Sequence, residues 1–116
     1  MKKKSYKTSF LLLLALLLAS CSHERVPDNI LDTATFTAFL TEAQIVEAYA
    51  YASTSEDPDT IAFYTRAAYD SLYVKYNITP NIYDTNLAYY VHHPKTMEEI
   101  YARVSHNLKM IEEKSR

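Results

Sequence analysis

Residues 76–104 read YNITPNIYDTNLAYYVHHPKTMEEIYARV, and the punctuation in this stretch decides the fold class. Asn77 follows an apolar-periodic segment at a point where glycine would usually take the left-handed conformation, and asparagine is the next best residue for it. Thr79-Pro80 reads as a helix start, with a hydroxyl to cap the first free N–H groups and a proline that needs no partner for its own nitrogen. That helix carries Ile82, Tyr83, Leu87, Tyr89 and Tyr90 and stops near His93-Pro94. The next is expected from about Thr96, with Glu98 and Glu99 in its first turn, where the positive end of the helix dipole favours them. Met97, Ile100, Tyr101, Val104, Leu108 and Ile111 form its apolar stripe, and the polar tail from Glu112 to Arg116 is expected to fray.

Working towards the N-terminus, two more helices are expected. One covers Asp59 to Tyr76, with Ile61, Tyr64, Ala68, Leu72 and Tyr76 as its main stripe and Phe63, Ala67 and Val74 as a second strip. A helix apolar on two sides either sits centrally or exposes an adhesive face. The other runs from Thr33 to Ala52, capped by Asp32 or Thr33, with Phe36, Phe39, Leu40, Ala43, Val46 and Ala50 on one face. The polar linker from Ser53 to Pro58 separates the two. Short connections between four helices predict an all-α fold, a small antiparallel bundle.

The leader is of another kind. Four lysines precede an apolar core from Phe10 to Ala19, and LLLLALLLASCS, residues 11–22, ends it on small residues and the chain's single cysteine. Ten residues at ~1.5 Å each cover about half of a ~30 Å hydrocarbon layer, which suits the apolar core of a secretory signal and not a span. Leu18-Ala19-Ser20-Cys21 resembles a bacterial lipobox, which implies cleavage before Cys21 and acyl chains on its sulfur; the plainer alternative is a free cysteine beside an ordinary signal. The expected division is residues 1–20 signal peptide, residues 21–30 lipidated cysteine and tether, and residues 31–116 helical domain. The tether from Ser22 to Pro27 reaches roughly 20 Å, so the domain stays near the bilayer. Glu24 alone makes no acidic export run, which favours an outer-membrane lipoprotein facing the periplasm.

Without residues 1–20 the chain keeps eight basic and fourteen acidic residues, a net charge of −6, and has no electrostatic reason to bind nucleic acid. One cysteine permits no internal disulfide and no CxxC chemistry. Glycine is absent altogether, which removes phosphate loops and glycine-built oxyanion turns. No nucleophile is paired with a base at a recognisable spacing, so no catalytic residue, cofactor site or enzymatic activity is expected.

With the helices placed, the chain resembles DUF4296, a domain of unknown function carried by short Bacteroidetes lipoproteins. The resemblance rests on PDNILD (27–32), FLTEAQIVEAY (39–49) and the opening stretch, and it departs at Asn77, Tyr83 and Asn86, where that family tends to glycine, phenylalanine and serine. It implies lipidation and a helical architecture and supplies no mechanism.

Two polar residues stand out on apolar faces. Glu47 lies about 20° from Leu40 and about 40° from Ala43 on a helical wheel, and Asn86 sits between Ile82 and Tyr90. They form either a polar pocket with tyrosine hydroxyls, open to a ligand, or an internal network involving Arg66 or Arg103 that fixes register. His92 and His93, with His106, have no metal-site spacing and read as a helix end before proline. Tyr64, Tyr76, Tyr90 and Tyr101 are expected at the core edge with wet hydroxyls. Ile45 and Tyr49 on one helix, and Phe63 and Val74 on the other, are the candidate partner surface. The expected role is a non-enzymatic interaction or accessory module at the cell envelope, held to the membrane by acyl chains and meeting another envelope protein. The alternative is a binder of a peptide, lipid or glycan in a tyrosine-rimmed cleft.

Overall fold

The computed structural model describes residues 5–19, 25–53 and 57–116; Cys21 lies outside them. Five helices and no strand occur among the described residues: α1 (Ser5–Ala19), α2 (Thr33–Ser53), α3 (Pro58–Tyr76), α4 (Pro80–Val91) and α5 (Pro94–Lys114). The all-α reading therefore holds, with four helices after α1. In α1 the side chains from Tyr6 to Leu17 are exposed. Among the described residues no helix is long and apolar enough to cross a membrane.

Local chemistry sets the helix boundaries. Asp32 Oδ1 accepts the Thr35 N–H at 2.6 Å at the head of α2, and this bond holds the Asp32 carboxyl below its usual range. Asp57 does the same for α3 through the Thr60 N–H at 3.0 Å. Thr79 Oγ1 accepts the Ile82 N–H at 3.2 Å to open α4. Pro58, Pro80 and Pro94 each occupy a first turn, where a missing N–H costs nothing.

After α3 the chain turns through Asn77 at φ 52°, ψ 46°. Its N–H reaches the Val74 carbonyl at 3.2 Å, and the Ile78 N–H returns to the Tyr73 carbonyl at 3.0 Å. That pair of bonds is the Schellman closure, and it buries Ile78 against the core as the helix ends. α5 begins two residues earlier than Thr96, since Pro94 itself starts the helix, and it continues through Lys114 instead of fraying from Glu112.

α3 and α5 both pack along α2, and α4 packs against α5. The middle of the molecule is aromatic. Phe36 and Phe39 on α2 are fully buried. Phe39 stacks on Tyr73 (ring centroids 6.0 Å apart, 17°), meets the edge of Tyr76 at 5.4 Å and lies 5.1 Å from Tyr83 and 6.4 Å from Tyr69. Phe36 stacks on Tyr90 at 4.9 Å and 16°. Leu40, Ala43, Leu72, Met97, Ile100 and Val104 complete the core from three helices.

Three expectations need correction. The inward face of α3 is Tyr69, Leu72, Tyr73 and Tyr76, at the i, i+3, i+4, i+7 spacing of a single stripe. Tyr64 is instead 54% exposed and lies on the outer side of the α2–α3 seam, beside Ile45 and Tyr49. On α5, Tyr101 (50%) and Ile111 (46%) lie on the outer edge of a stripe whose centre is Met97, Ile100 and Val104.

Truncating Phe39 empties the contact on which four tyrosine rings converge. Phe39→Ala is expected to cost about 3–5 kcal/mol, read as the shift in a urea unfolding midpoint, and Phe63→Ala at an exposed site less than about 0.5 kcal/mol. Burial pushes the phenols of Tyr69, Tyr73, Tyr76 and Tyr83 above the ordinary value of 10.0, Tyr76 to about 12. A raised phenol stabilises the fold in full below pH 10 and ceases to as pH climbs towards 12. Helix content and phenolate absorbance should therefore change together in that interval.

Candidate functional site

Asn86 is fully buried on α4, and its amide is used completely. Oδ1 accepts the Leu31 N–H at 2.7 Å, while Nδ2 donates to the carbonyls of Ile82 (2.8 Å) and Asn29 (3.0 Å). One turn on, the Tyr90 hydroxyl donates to the Leu31 carbonyl at 2.5 Å, and burial raises its phenol. Three bonds thus fasten the segment before α2 onto α4. Asparagine suits this work because one planar group carries both an acceptor and two donors. No buried side-chain polar atom lacks a partner among the described residues.

Glu47 occupies a separate place. Its Oε1 accepts the Tyr69 hydroxyl at 2.5 Å, and burial with this bond raises the Tyr69 phenol. Neither Arg66 nor Arg103 is its partner: Arg66 lines a hollow with Tyr51, Asp70 and Tyr73, and Arg103 another with Thr37 and His106. Glu47 instead lines a cleft of about 400 Å³ floored by Leu40, Ala43 and Gln44 of α2. Tyr69 of α3, Tyr83 and Leu87 of α4, and Tyr101, Val104, Ser105 and Leu108 of α5 form its walls. The two residues paired by their position on apolar faces are therefore not brought together: Asn86 clamps chain, and Glu47 faces a cavity.

A second carboxylate, which sequence reasoning did not single out, ties α2 to α3. Glu42 Oε1 accepts from Lys75 Nζ at 2.6 Å and from the Tyr76 hydroxyl at 2.8 Å, and Lys75 holds the Glu42 carboxyl below its usual range. The signal was in the pattern: Tyr76 lies one turn after the inward-facing Leu72 and Tyr73, with Lys75 beside it.

The candidate partner residues are all exposed: Ile45 38%, Tyr49 73%, Phe63 69% and Val74 82%. Ile45 and Tyr49 share a groove of about 560 Å³ with Tyr64, Ala67 and Ala68 across the outer α2–α3 seam. Phe63 leans edge-on against Tyr64 at 5.7 Å, which extends this surface, whereas Val74 lies nearly three turns further along α3 and outside the groove. At the end of α4, His92 and His93 turn their Nδ1 atoms to the carbonyls of Ala88 and Tyr89, both at 2.8 Å, and His93 stacks on Tyr89. Among the described residues no three His, Cys, Asp or Glu gather in a metal-binding group.

The family model of a domain of unknown function, DUF4296, matches residues 27–114, from the clamped segment to the last turn of α5. The chain belongs to DUF4296. No curated protein and no solved structure matches it. The DUF4296 match includes Asn29, Leu31, Asn86 and Tyr90, so both halves of the clamp fall inside the domain.

Removing the Asn86 amide strands the Leu31 N–H in a buried place. Asn86→Ala is expected to destabilise by about 2–4 kcal/mol and Tyr90→Phe by about 1 kcal/mol. Hydrogen exchange should then show the Leu31 amide losing protection in the Asn86 variant before the amides of α5 do.

Proposed function

We propose that this DUF4296 chain is a lipoprotein anchored through acyl chains on Cys21, acting as a non-enzymatic interaction module at the bacterial cell envelope. The supporting chemistry of the anchor is the run of lysines, the short apolar core and the small residues before the lone cysteine. Two or more acyl chains hold a protein on a bilayer where one does so only marginally. The periplasmic face of the outer membrane is the expected station. There a tethered domain meets neighbours at high effective concentration, so a modest contact area suffices.

The observation that carries the interaction reading is the outer α2–α3 face. Tyr49, Phe63 and Tyr64 are more than half exposed there, beside an apolar groove. Aromatic residues of this kind give contact area at low entropic cost and are enriched at interfaces. Their polar neighbours Ser53 and Ser71 offer hydrogen bonds at its margin.

A second reading, the tyrosine-rimmed binding cleft, is favoured by the cavity around Glu47. It has the size of a small-ligand site and sets the polar ends of Gln44, Glu47, Ser105 and three tyrosines among apolar walls in nearly equal share. The two readings use different surfaces and are compatible.

Mass analysis of protein isolated from its own membranes should find an acylated N-terminal Cys21, and Cys21→Ser should release the chain from the membrane fraction. Photo-crosslinkers at Tyr49 and Phe63 should capture a common envelope protein in intact cells, whereas one at Glu98 on α5 should not. An unmodified cysteine overturns the anchor, and capture equal to the Glu98 control overturns the interface.

A further inference from the structure

Because α3 and α5 both lie along α2, the inner surface of α2 between them is only partly covered, and Glu47 stands at that opening. Its Oε1 is engaged by Tyr69, while Oε2 has no protein partner among the described residues. None of the residues lining the cleft carries a positive charge. Three phenol rings surround the carboxylate: Tyr69 and Tyr83 meet at 58° with centroids 6.2 Å apart, forming two sides of a corner, and Tyr101 stands half-exposed at the rim. Leu40, Leu87 and Leu108 supply aliphatic walls, and Gln44 and Ser105 add two neutral polar side chains to the lining.

We propose that this cleft is a binding site for a primary alkylammonium group, an amine head on a short aliphatic stem. The inference rests on the cleft reading above and is independent of the anchor and of the outer α2–α3 face. Complementarity selects the ligand class by exclusion. An anion meets the Glu47 carboxylate and the net charge of −6 that residues 21–116 carry. A neutral apolar molecule takes water from Oε2 and gives nothing back. A quaternary ammonium satisfies the rings but has no N–H for the open oxygen. A primary ammonium does both: it donates a charge-assisted bond to Oε2 and turns its remaining charge to the faces of the rings. Its stem then replaces water along the leucines. The site is also preorganised, since Tyr69 holds the carboxylate in place before any ligand arrives.

The full-length protein in a non-ionic maltoside detergent, with ¹³C-labelled tyrosine rings, provides the test. It is titrated at fixed ionic strength with n-pentylamine, with pentanol and pentanoate as shape-matched neutral and anionic controls. Pentylamine should shift the Tyr69, Tyr83 and Tyr101 resonances saturably, and both controls should bind at least tenfold more weakly. Glu47→Gln keeps an acceptor for Tyr69 but removes the charge, and it should weaken the amine at least tenfold while leaving the other tyrosine resonances in place. If that variant unfolds, Tyr101→Leu, at an exposed rim position, should weaken the amine severalfold at an unchanged melting temperature. A lysine-containing tripeptide that binds as well as pentylamine assigns the site to a side chain of a partner, and binding of the free amine alone assigns it to a small molecule; either result supports the ammonium site. Equal affinity for pentylamine and pentanol, no saturable shift, or undiminished amine affinity in the folded variants overturns it. None of these outcomes bears on Cys21 or on crosslinking at Tyr49, so failure here leaves the envelope reading where it stood.

Discussion

The ring of Phe39, fully buried and surrounded by Tyr69, Tyr73, Tyr76 and Tyr83, is the contact on which the rest of the domain depends. A chain without tryptophan and with few phenylalanines must build its centre from tyrosine. Tyrosine brings a large apolar ring together with a hydroxyl that has to find water or a partner. Each hydroxyl therefore fixes a polar feature at a definite edge of the core. Tyr69 finds Glu47, Tyr76 finds Glu42, and Tyr90 finds the Leu31 carbonyl. The cleft carboxylate, the bridge between α2 and α3, and one of the bonds that hold the entering chain are all consequences of packing phenols around two phenylalanines.

The same constraint explains why a cavity survives in so small a domain. Rings are broad, and a helix lined with them stands off from its neighbours further than one lined with alanine. α2 solves this unevenly. Its Phe36 and Phe39 turns meet the rings of α3 and α4, while Thr37 and Thr41 are buried on the same helix. Their hydroxyls bond back to the Thr33 and Thr37 carbonyls and so add no unpaired donor to the core. The Asn107 amide on α5 reaches Thr41 Oγ1 at 3.4 Å. Further along α2, Leu40, Ala43 and Glu47 are opposed by tyrosines from three helices, and the rings do not close over them.

What could be read in the sequence and what could not divides along this line. Helix starts and stops were legible because Asp32, Thr79, Pro80 and Asn77 act on backbone within three or four residues of themselves. The inward face of α2 was legible because Phe36, Phe39 and Leu40 mark it without ambiguity. The face of α3 was not. Tyr64, Phe63 and Val74 are as apolar as Tyr69 and Tyr73, and only packing against α2 decides which set turns inward. Glu47 and Asn86 were recognisable as polar residues on apolar faces, but their partners were not. Tyr69 lies 22 residues from Glu47, and Leu31 and Asn29 lie 55 and 57 residues from Asn86. Separations of that size are set by how the helices pair, and local pattern carries no information about that.

The clamp joins address to architecture. Asn29 lies eight positions after Cys21, a reach of at most about 29 Å, and Asn86 holds the chain there by its backbone carbonyl. An anchor at Cys21 would therefore act on α4, through the three hydrogen bonds that Asn86 and Tyr90 make with this segment, and not on α2 alone. The point of entry lies where α4 meets α2 through Tyr83 and Tyr90 against Phe36. Tyr49 lies about four turns further along α2, so the outer α2–α3 groove stands well away from this point of entry. Asn86 and Tyr90 fix the entering chain at the cost of burying three polar groups, each of which is paired.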